Sequence, residues 1–278
     1  MVDTNKELQK ILDFSLSLED VRVVMMNGSR LNVCAPVDQM QDYDIVFFIR
    51  NFHEGYKIDR EWIKQFGEIV MIQQNDFEDG SYIFLMQFKS GLRIDLSFVS
   101  MEKLTDKIAE DSLSKILVDK DNVTPKIPEP NDSAHFVKKP TSREYDELLN
   151  EIWWIQTNIA KGLWREELPY VKFMYDTILM ECIIQLVSWK IGTEHDFKVN
   201  VGKSGKWLER FLDEPTYNQF ASLYSGKEFP SIWNDLFQVG DFVRKIGNEV
   251  GQFLGYTYPF EDDDNVTEYI KEVQKLPK

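Results

Sequence analysis

Apolar residues in the first hundred positions fall into short runs and alternations, whereas beyond position 140 they recur every three to four residues. Leu8, Ile11, Leu12 and Ser15 stand at helical spacing and predict an amphipathic helix over residues 4–18. Residues 21–26 read as a short strand closed by Asn27-Gly28, and residues 31–41, with Pro36 and little periodicity, read as a loop. Residues 42–50 form the second predicted strand, and the unbroken apolar run at 45–49 predicts burial on both of its faces. A helix is expected over 59–66, then strands over 68–73, 82–88 and 92–99, the last two joined by the tight turn Lys89-Ser90-Gly91.

Pro125, Pro128, Pro130 and Pro140 punctuate residues 122–141, which predicts a linker. Beyond it, residues 143–161 carry Leu148, Leu149, Ile152, Trp153, Ile155 and Ile159 at helical spacing. A long helix is expected over 167–191, with Pro169 tolerated in its first turn. Trp207, Leu208, Phe211 and Leu212 mark a shorter helix, and 231–254 a longer one. The acidic run Glu261-Asp262-Asp263-Asp264 reads as a solvated surface segment. The expected class is α+β, with a mixed β-sheet domain and flanking helices over 1–138 and a helical bundle over 139–278.

Composition narrows the function. The 278 residues suffice for a substantial core, and 43% hydrophobic content argues for a globular chain. The 32 Lys and Arg against 47 Asp and Glu give a formal net charge of −15, which disfavours nucleic acid or an anionic membrane as partner and suits a cationic ligand. Acidic balance also serves solubility alone. Cys34 and Cys182 stand far apart without metal-type spacing and read as free thiols of a reducing compartment. The first six residues lack the apolar core of a signal peptide and no run approaches membrane-spanning length, so the expected location is cytoplasmic. Monomer and homodimer are both open.

The candidate chemistry sits at Asp42-Tyr43-Asp44, directly before the second apolar run and shortly after Asn27-Gly28-Ser29-Arg30. Carboxylates two apart on a strand share a face at roughly 7 Å, and two anions that close repel unless a cation lies between them. Gly28 lets backbone approach a phosphate, Ser29 offers hydroxyl and N–H donors, and Arg30 offers a forked cation or pairs with a nearby acid. Asp42 and Asp44 would hold Mg2+ through hard oxygens. Asp95 lies in the alternating segment Arg93-Ile94-Asp95-Leu96-Ser97-Phe98 and supplies a third acid, expected on a neighbouring strand, as a further metal ligand or as the base. A glycine-serine turn and two aligned aspartates are what Mg2+-dependent nucleotidyl transfer from a nucleoside triphosphate requires. A lone strand carboxylate is usually surface, and each fragment alone is weak; their order and spacing carry the signal.

These residues also resemble a known family. Gly28-Ser29-Arg30, Gln41-Asp42-Tyr43-Asp44-Ile45-Val46 and Arg93-Ile94-Asp95-Leu96 are similar to signatures of the aminoglycoside 6-adenylyltransferases, the streptomycin-modifying branch of the nucleotidyltransferase superfamily. The resemblance continues through Lys139-Pro140-Thr141-Ser142-Arg143-Glu144-Tyr145-Asp146, Ala160-Lys161-Gly162-Leu163-Trp164-Arg165 and Gly202-Lys203-Ser204-Gly205-Lys206-Trp207. It implies AMP transfer from ATP, with Mg2+, to an aminoglycoside hydroxyl, with Asp42 and Asp44 on the metal and Asp95 as the third acid. Lys203 and Lys206 would reach the triphosphate; their plainer reading is solvated surface at a helix start. A Walker loop ending at Gly205-Lys206 does not fit, because position 200 is Asn and 207 is Trp.

Other features weigh less. His53, His135 and His195 stand alone, and Trp153, Trp154 and Trp164 read as helix packing before nucleotide or sugar stacking. Asp176 and Glu181 fall in an apolar helix, where a carboxylate must be paired or face a cavity. Asp176, with Asp146 and Glu147 on the preceding helix, is a candidate contact for the ammonium or guanidinium groups of the acceptor. Two alternatives stand beside this reading. One is transfer to another small hydroxylated antibiotic or to a protein side chain; the other is a nucleotide-binding regulatory module whose catalysis has decayed.

Overall fold

The computed structural model describes residues 4–278, which divide into two compact units between Ala134 and His135. In the first, six strands form one mixed sheet in the order β3-β4-β5-β2-β1-β6. These are β1 (Val21–Asn27), β2 (Tyr43–Ile49), β3 (Ile69–Asp76), β4 (Tyr82–Phe88), β5 (Arg93–Ser100) and β6 (Ser114–Asp119). β2 and β5 pair in parallel, and the other neighbours pair antiparallel.

Period-two alternation sends the large apolar side chains to one face. Val24, Met26, Tyr43, Ile45, Phe47, Leu96 and Phe98 pack there with Ile11 and Phe14 of α1 (Thr4–Ser17) and with Ile63 and Phe66 of the 3-10 segment Glu61–Phe66, which follows the one-turn helix α2 (Gly55–Ile58). Phe98 anchors this core, stacking on Tyr82 at 5.0 Å and meeting Phe47 edge-on at 5.7 Å. The opposite face is divided. One half buries Val23, Met25, Phe48 and Val99 against Leu104 of α3 (Leu104–Glu110), a helix following the 3-10 turn Met101–Lys103. The other half carries polar residues of the same strands. The apolar run of β2 is thus shared between two cores, Ile45 and Phe47 in one and Phe48 in the other.

The second unit is helical. α4 (Ser142–Trp164) opens with a capping box: Thr141 accepts from the Glu144 N–H, and the Glu144 side chain accepts from Thr141. The long helix expected over 167–191 is continuous but not uniform. α5 (Leu168–Lys172) leads into a π-helical stretch, Phe173–Leu179, and then α6 (Met180–Glu194). The short helix expected around Trp207 is reduced to 3-10 turns at Lys203–Gly205 and Leu208–Arg210, and α7 (Glu214–Ser222) follows, capped by Asp213. α8 (Phe229–Leu254) ends at Gly255 in the left-handed region, φ 76°. Trp153, Tyr145, Tyr175, Leu186 and Val243 lie in one apolar cluster of this unit.

Of the acidic run at 261–264, Glu261, Asp262 and Asp264 are exposed as expected, and Asp263 is not. The run forms the first turn of α9 (Phe260–Lys275), where acids complement the helix dipole. Asp263 is fully buried and takes a forked pair of bonds from Arg244 at 2.7 and 2.6 Å and a third from the Tyr258 hydroxyl at 2.9 Å. A carboxylate is held there because its lone pairs are met by a guanidinium and a phenol. Among the described residues, no helix is long and apolar enough to cross a membrane.

Candidate active site

Register places the acids. In the parallel β2–β5 pair Asp44 stands opposite Asp95, and in the antiparallel β1–β2 pair Asp44 stands opposite Asn27. Asn27, Asp44 and Asp95 therefore form a row across three adjacent strands on the face that is not packed by α1. Asp42, two residues before Asp44, joins them from the segment leading into β2. Asp42, Asp44 and Asp95 can each offer a carboxylate oxygen, all within 4.8 Å of one another.

Gly28 closes the back of this cluster. Its φ of 83° is one that side chains disfavour, and a Cβ there would lie 2.1 Å from Asp44 Oδ2. The turn that follows is tight, with Leu31 N–H bonded to Gly28 O and Asn32 N–H to Ser29 O. Arg30, expected at a phosphate, donates from Nε to the Asp42 carbonyl at 2.8 Å and from Nη2 to the Gln41 carbonyl at 2.6 Å. Its guanidinium also lies 3.8 Å from the centre of the Tyr43 ring. Two of its donors thus fix the backbone that presents Asp42.

Electrostatics mark the cluster as short of positive charge. Burial, then the neighbouring Asp95 and Asp42, push the Asp44 carboxyl up to about 6. Arg93 works the other way: its Nε and Nη2 reach the two Asp95 oxygens at 3.0 and 2.9 Å, and its Nε lies 3.4 Å from Asp42 Oδ2. That fork uses about two of the roughly four lone-pair sites of Asp95 and leaves the others available. Two guanidiniums, Arg93 on the carboxylates and Arg30 beside them, do not neutralise three acids. The remaining oxygens suit a hard divalent cation such as Mg2+, so the donor set fits the metal expected from the sequence.

A cavity of about 390 Å3 opens beside the row, bordered by Asn27, Asp44, Asp95 and Ser97, with Asp79 and Glu110 further out. Asp79 is held well below the usual carboxylate range by Lys103 and Ser81, and Glu110 pairs with Lys107 at 2.8 Å. Sequence reading did not single out Asn27; an Asn before Gly signals only the end of a strand, and its place in the row comes from register.

Lys203, Lys206, Asp176, Glu147 and Asp146 lie in the helical unit. Lys203 and Lys206 belong to a loop bent by positive φ at Gly202, Ser204 and Gly205 and closed by the Trp207 N–H to Val201 O bond of 2.9 Å. Lys206 Nζ lies 5.1 Å from the Trp207 ring centre. Asp176 stands in the π-helical stretch and pairs with Lys172 at 2.8 Å; Glu147 pairs with Arg143 at 2.7 Å, and Asp146 is exposed. Among the described residues these three join no acid cluster like that of Asp42. His53 accepts from the Gly55 N–H at 3.0 Å, and His195 packs edge-on to Phe211.

A mixed sheet carrying three converging aspartates behind a glycine-serine turn defines an enzyme of the nucleotidyltransferase class. Residues 1–273 match the sequence profile of the family described as Streptomycin adenylyltransferase. The chain belongs to that family. It is 31% identical to an aminoglycoside 6-adenylyltransferase of Bacillus subtilis (strain 168), with 93% of each chain covered. A Campylobacter jejuni protein of the same name is 30% identical, over 94% of this chain and 92% of its own. The crystal structure of an aminoglycoside 6-adenyltransferase from Bacillus subtilis matches 99% of this chain and 100% of its own, with TM-score 0.51 and 25% identity.

Proposed function

We propose that this chain transfers AMP from Mg-ATP to a hydroxyl of a streptomycin-like aminoglycoside and releases pyrophosphate. The observation that carries the reading is the convergence of Asp42, Asp44 and Asp95 within 4.8 Å on one sheet face, behind the turn at Gly28 and beside a cavity. Asp42 and Asp44 would hold the metal, with Asp95 as third ligand or proton acceptor. A bound Mg2+ supplies charge neutralisation at the triphosphate. The acceptor hydroxyl oxygen bonds to the α-phosphorus while the bond to the bridging oxygen breaks. Pyrophosphate leaves with that electron pair, and Asp95 takes the hydroxyl proton. Arg93 keeps Asp95 oriented, and Arg30 keeps Asp42 presented.

The cavity is lined by five acids, Asp44, Asp79, Asp95, Glu110 and Asp111, against Lys107, and although Asp79 and Glu110 are themselves paired with lysines the balance is negative, which supports a cationic acceptor. The first unit is assigned the nucleotidyl chemistry, with Gly28 and Ser29 at the phosphates. The helical unit is assigned the covering role, with Lys203 and Lys206 for triphosphate and Asp146, Glu147 and Asp176 for acceptor cations. Incubation with ATP labelled at the α-phosphate and a panel of acceptors tests the reading. Label should pass to streptomycin, and Asp42→Asn or Asp44→Asn should abolish transfer in a folded protein. Label passing only to a different antibiotic or to protein would replace the acceptor, and turnover retained in both variants would remove the site.

A further inference from the structure

Asn27 ends β1 in register with Asp44, and its amide is oriented by a chain of hydrogen bonds. Ser114 Oγ donates its single proton to the Asp111 carbonyl at 2.9 Å. It can therefore only accept from its other partner, the Asn27 Nδ2 at 2.7 Å. This fixes which end of the amide is which: the nitrogen faces Ser114, on the β6 side of β1, and the carbonyl oxygen faces away from it. That oxygen, Oδ1, is buried and has no hydrogen-bond partner in the protein. Its residue borders the same cavity as Asp44 and Asp95.

An unpartnered buried carbonyl is uncommon, and one set in a row with carboxylates is less expected, since like dipoles and charges repel there. Neither Asp44 nor Asp95 offers a donor when ionised. What satisfies all three oxygens together is a cation or the water bound to it. We infer that Asn27 Oδ1 is a fourth, neutral oxygen of the metal site, accepting from a water on the divalent cation held by Asp42, Asp44 and Asp95, with Ser114 as its orienting partner. The inference rests on the metal-dependent reading above and adds to the acid cluster a positioning residue that carries no charge. A neutral oxygen suits this place: a fourth carboxylate would add to the repulsion among three already within 4.8 Å of one another, whereas an amide oxygen adds an acceptor without it.

The test is direct binding of Mn2+ alone, without nucleotide, followed by electron paramagnetic resonance. Wild type is compared with Asn27→Leu, Asn27→Asp and Ser114→Ala, and with Asp44→Asn as reference. Removing an outer partner of a metal site should weaken Mn2+ binding about tenfold in Asn27→Leu. Asn27→Asp should bind at least as tightly as wild type, and Ser114→Ala should weaken binding by a smaller factor. Melting in EDTA separates the role from a structural one: Asn27→Leu loses the bond to Ser114 but also an unpartnered buried carbonyl, so it should melt close to wild type while its Mn2+ affinity falls. Should Asn27→Leu not fold, the other two variants carry the comparison. Wild-type Mn2+ affinity in Asn27→Leu or in Ser114→Ala, with binding lost in Asp44→Asn, overturns the inference and leaves the acid site standing. Wild-type affinity in Asp44→Asn removes the metal reading, and this inference with it.

Discussion

Replacing Asp44 by Asn should make the metal-free protein more stable while removing its activity. Asp44 is pushed from an ordinary 3.8 to about 6, chiefly by burial and then by Asp95 and Asp42. Between those values the folded state binds more protons than the unfolded one, so stability falls as pH rises through this window. The shift of about 2 units corresponds to about 3 kcal/mol of destabilisation, fully present above the folded value and lost below the unfolded one. Asn has the same shape and no charge. Urea unfolding in EDTA should therefore show Asp44→Asn more stable by about 3 kcal/mol at pH 7.5, shrinking to about 1 kcal/mol at pH 4.5. The comparison belongs to the transition of the sheet unit if the two units unfold separately. Adding Mg2+ should stabilise wild type and leave the variant unmoved. A variant no more stable than wild type at pH 7.5 in EDTA would refute the claim that burial and two neighbouring acids make the Asp44 charge destabilising.

Four further outcomes follow from local geometry. Gly28→Ala sets a Cβ at 2.1 Å from Asp44 Oδ2 on a φ of 83°, so turnover should drop about a hundredfold or more, while circular dichroism stays native. Arg30→Met loses the bonds to the Gln41 and Asp42 carbonyls, so kcat should fall with KM for ATP little changed. A rise in KM for ATP alone would instead place the guanidinium on phosphate. Asp263→Ala leaves Arg244 without its buried partner and should cost about 3–5 kcal/mol in urea unfolding, whereas Trp154→Ala, at a position 63% exposed, should cost under about 0.5 kcal/mol.

Much of the sheet was legible because alternation and burial agree. Ile94, Leu96 and Phe98 point into one core while Arg93, Asp95 and Ser97 point the other way, as period two requires. That Asp42 and Asp44 share a face was legible by parity; that Asp95 stands beside them depends on the β2–β5 register, and the family resemblance was its signal. Asn27 was not legible, because its role depends on which residue stands across from it in β2. β6 and α3 went unassigned because each is short and their apolar residues serve a small secondary core. α9 was hidden by its own acids. Four carboxyl residues in a row resemble solvent-facing sequence, as three of them are; they also suit a helix first turn, and the burial of Asp263 against Arg244 and Tyr258 is tertiary. Around Trp207, positive φ at Gly202, Ser204 and Gly205 breaks a pattern whose apolar spacing alone reads as helix.

The most direct measurement of the central claim is pyrophosphate release from ATP with streptomycin present, followed as Mg2+ is titrated into metal-depleted protein. Release should be absent without metal, rise with Mg2+, require the acceptor, and vanish in Asp44→Asn at every metal concentration. Release that proceeds at the same rate in EDTA, or that survives in Asp44→Asn, would contradict a site built on three carboxylates around a divalent cation.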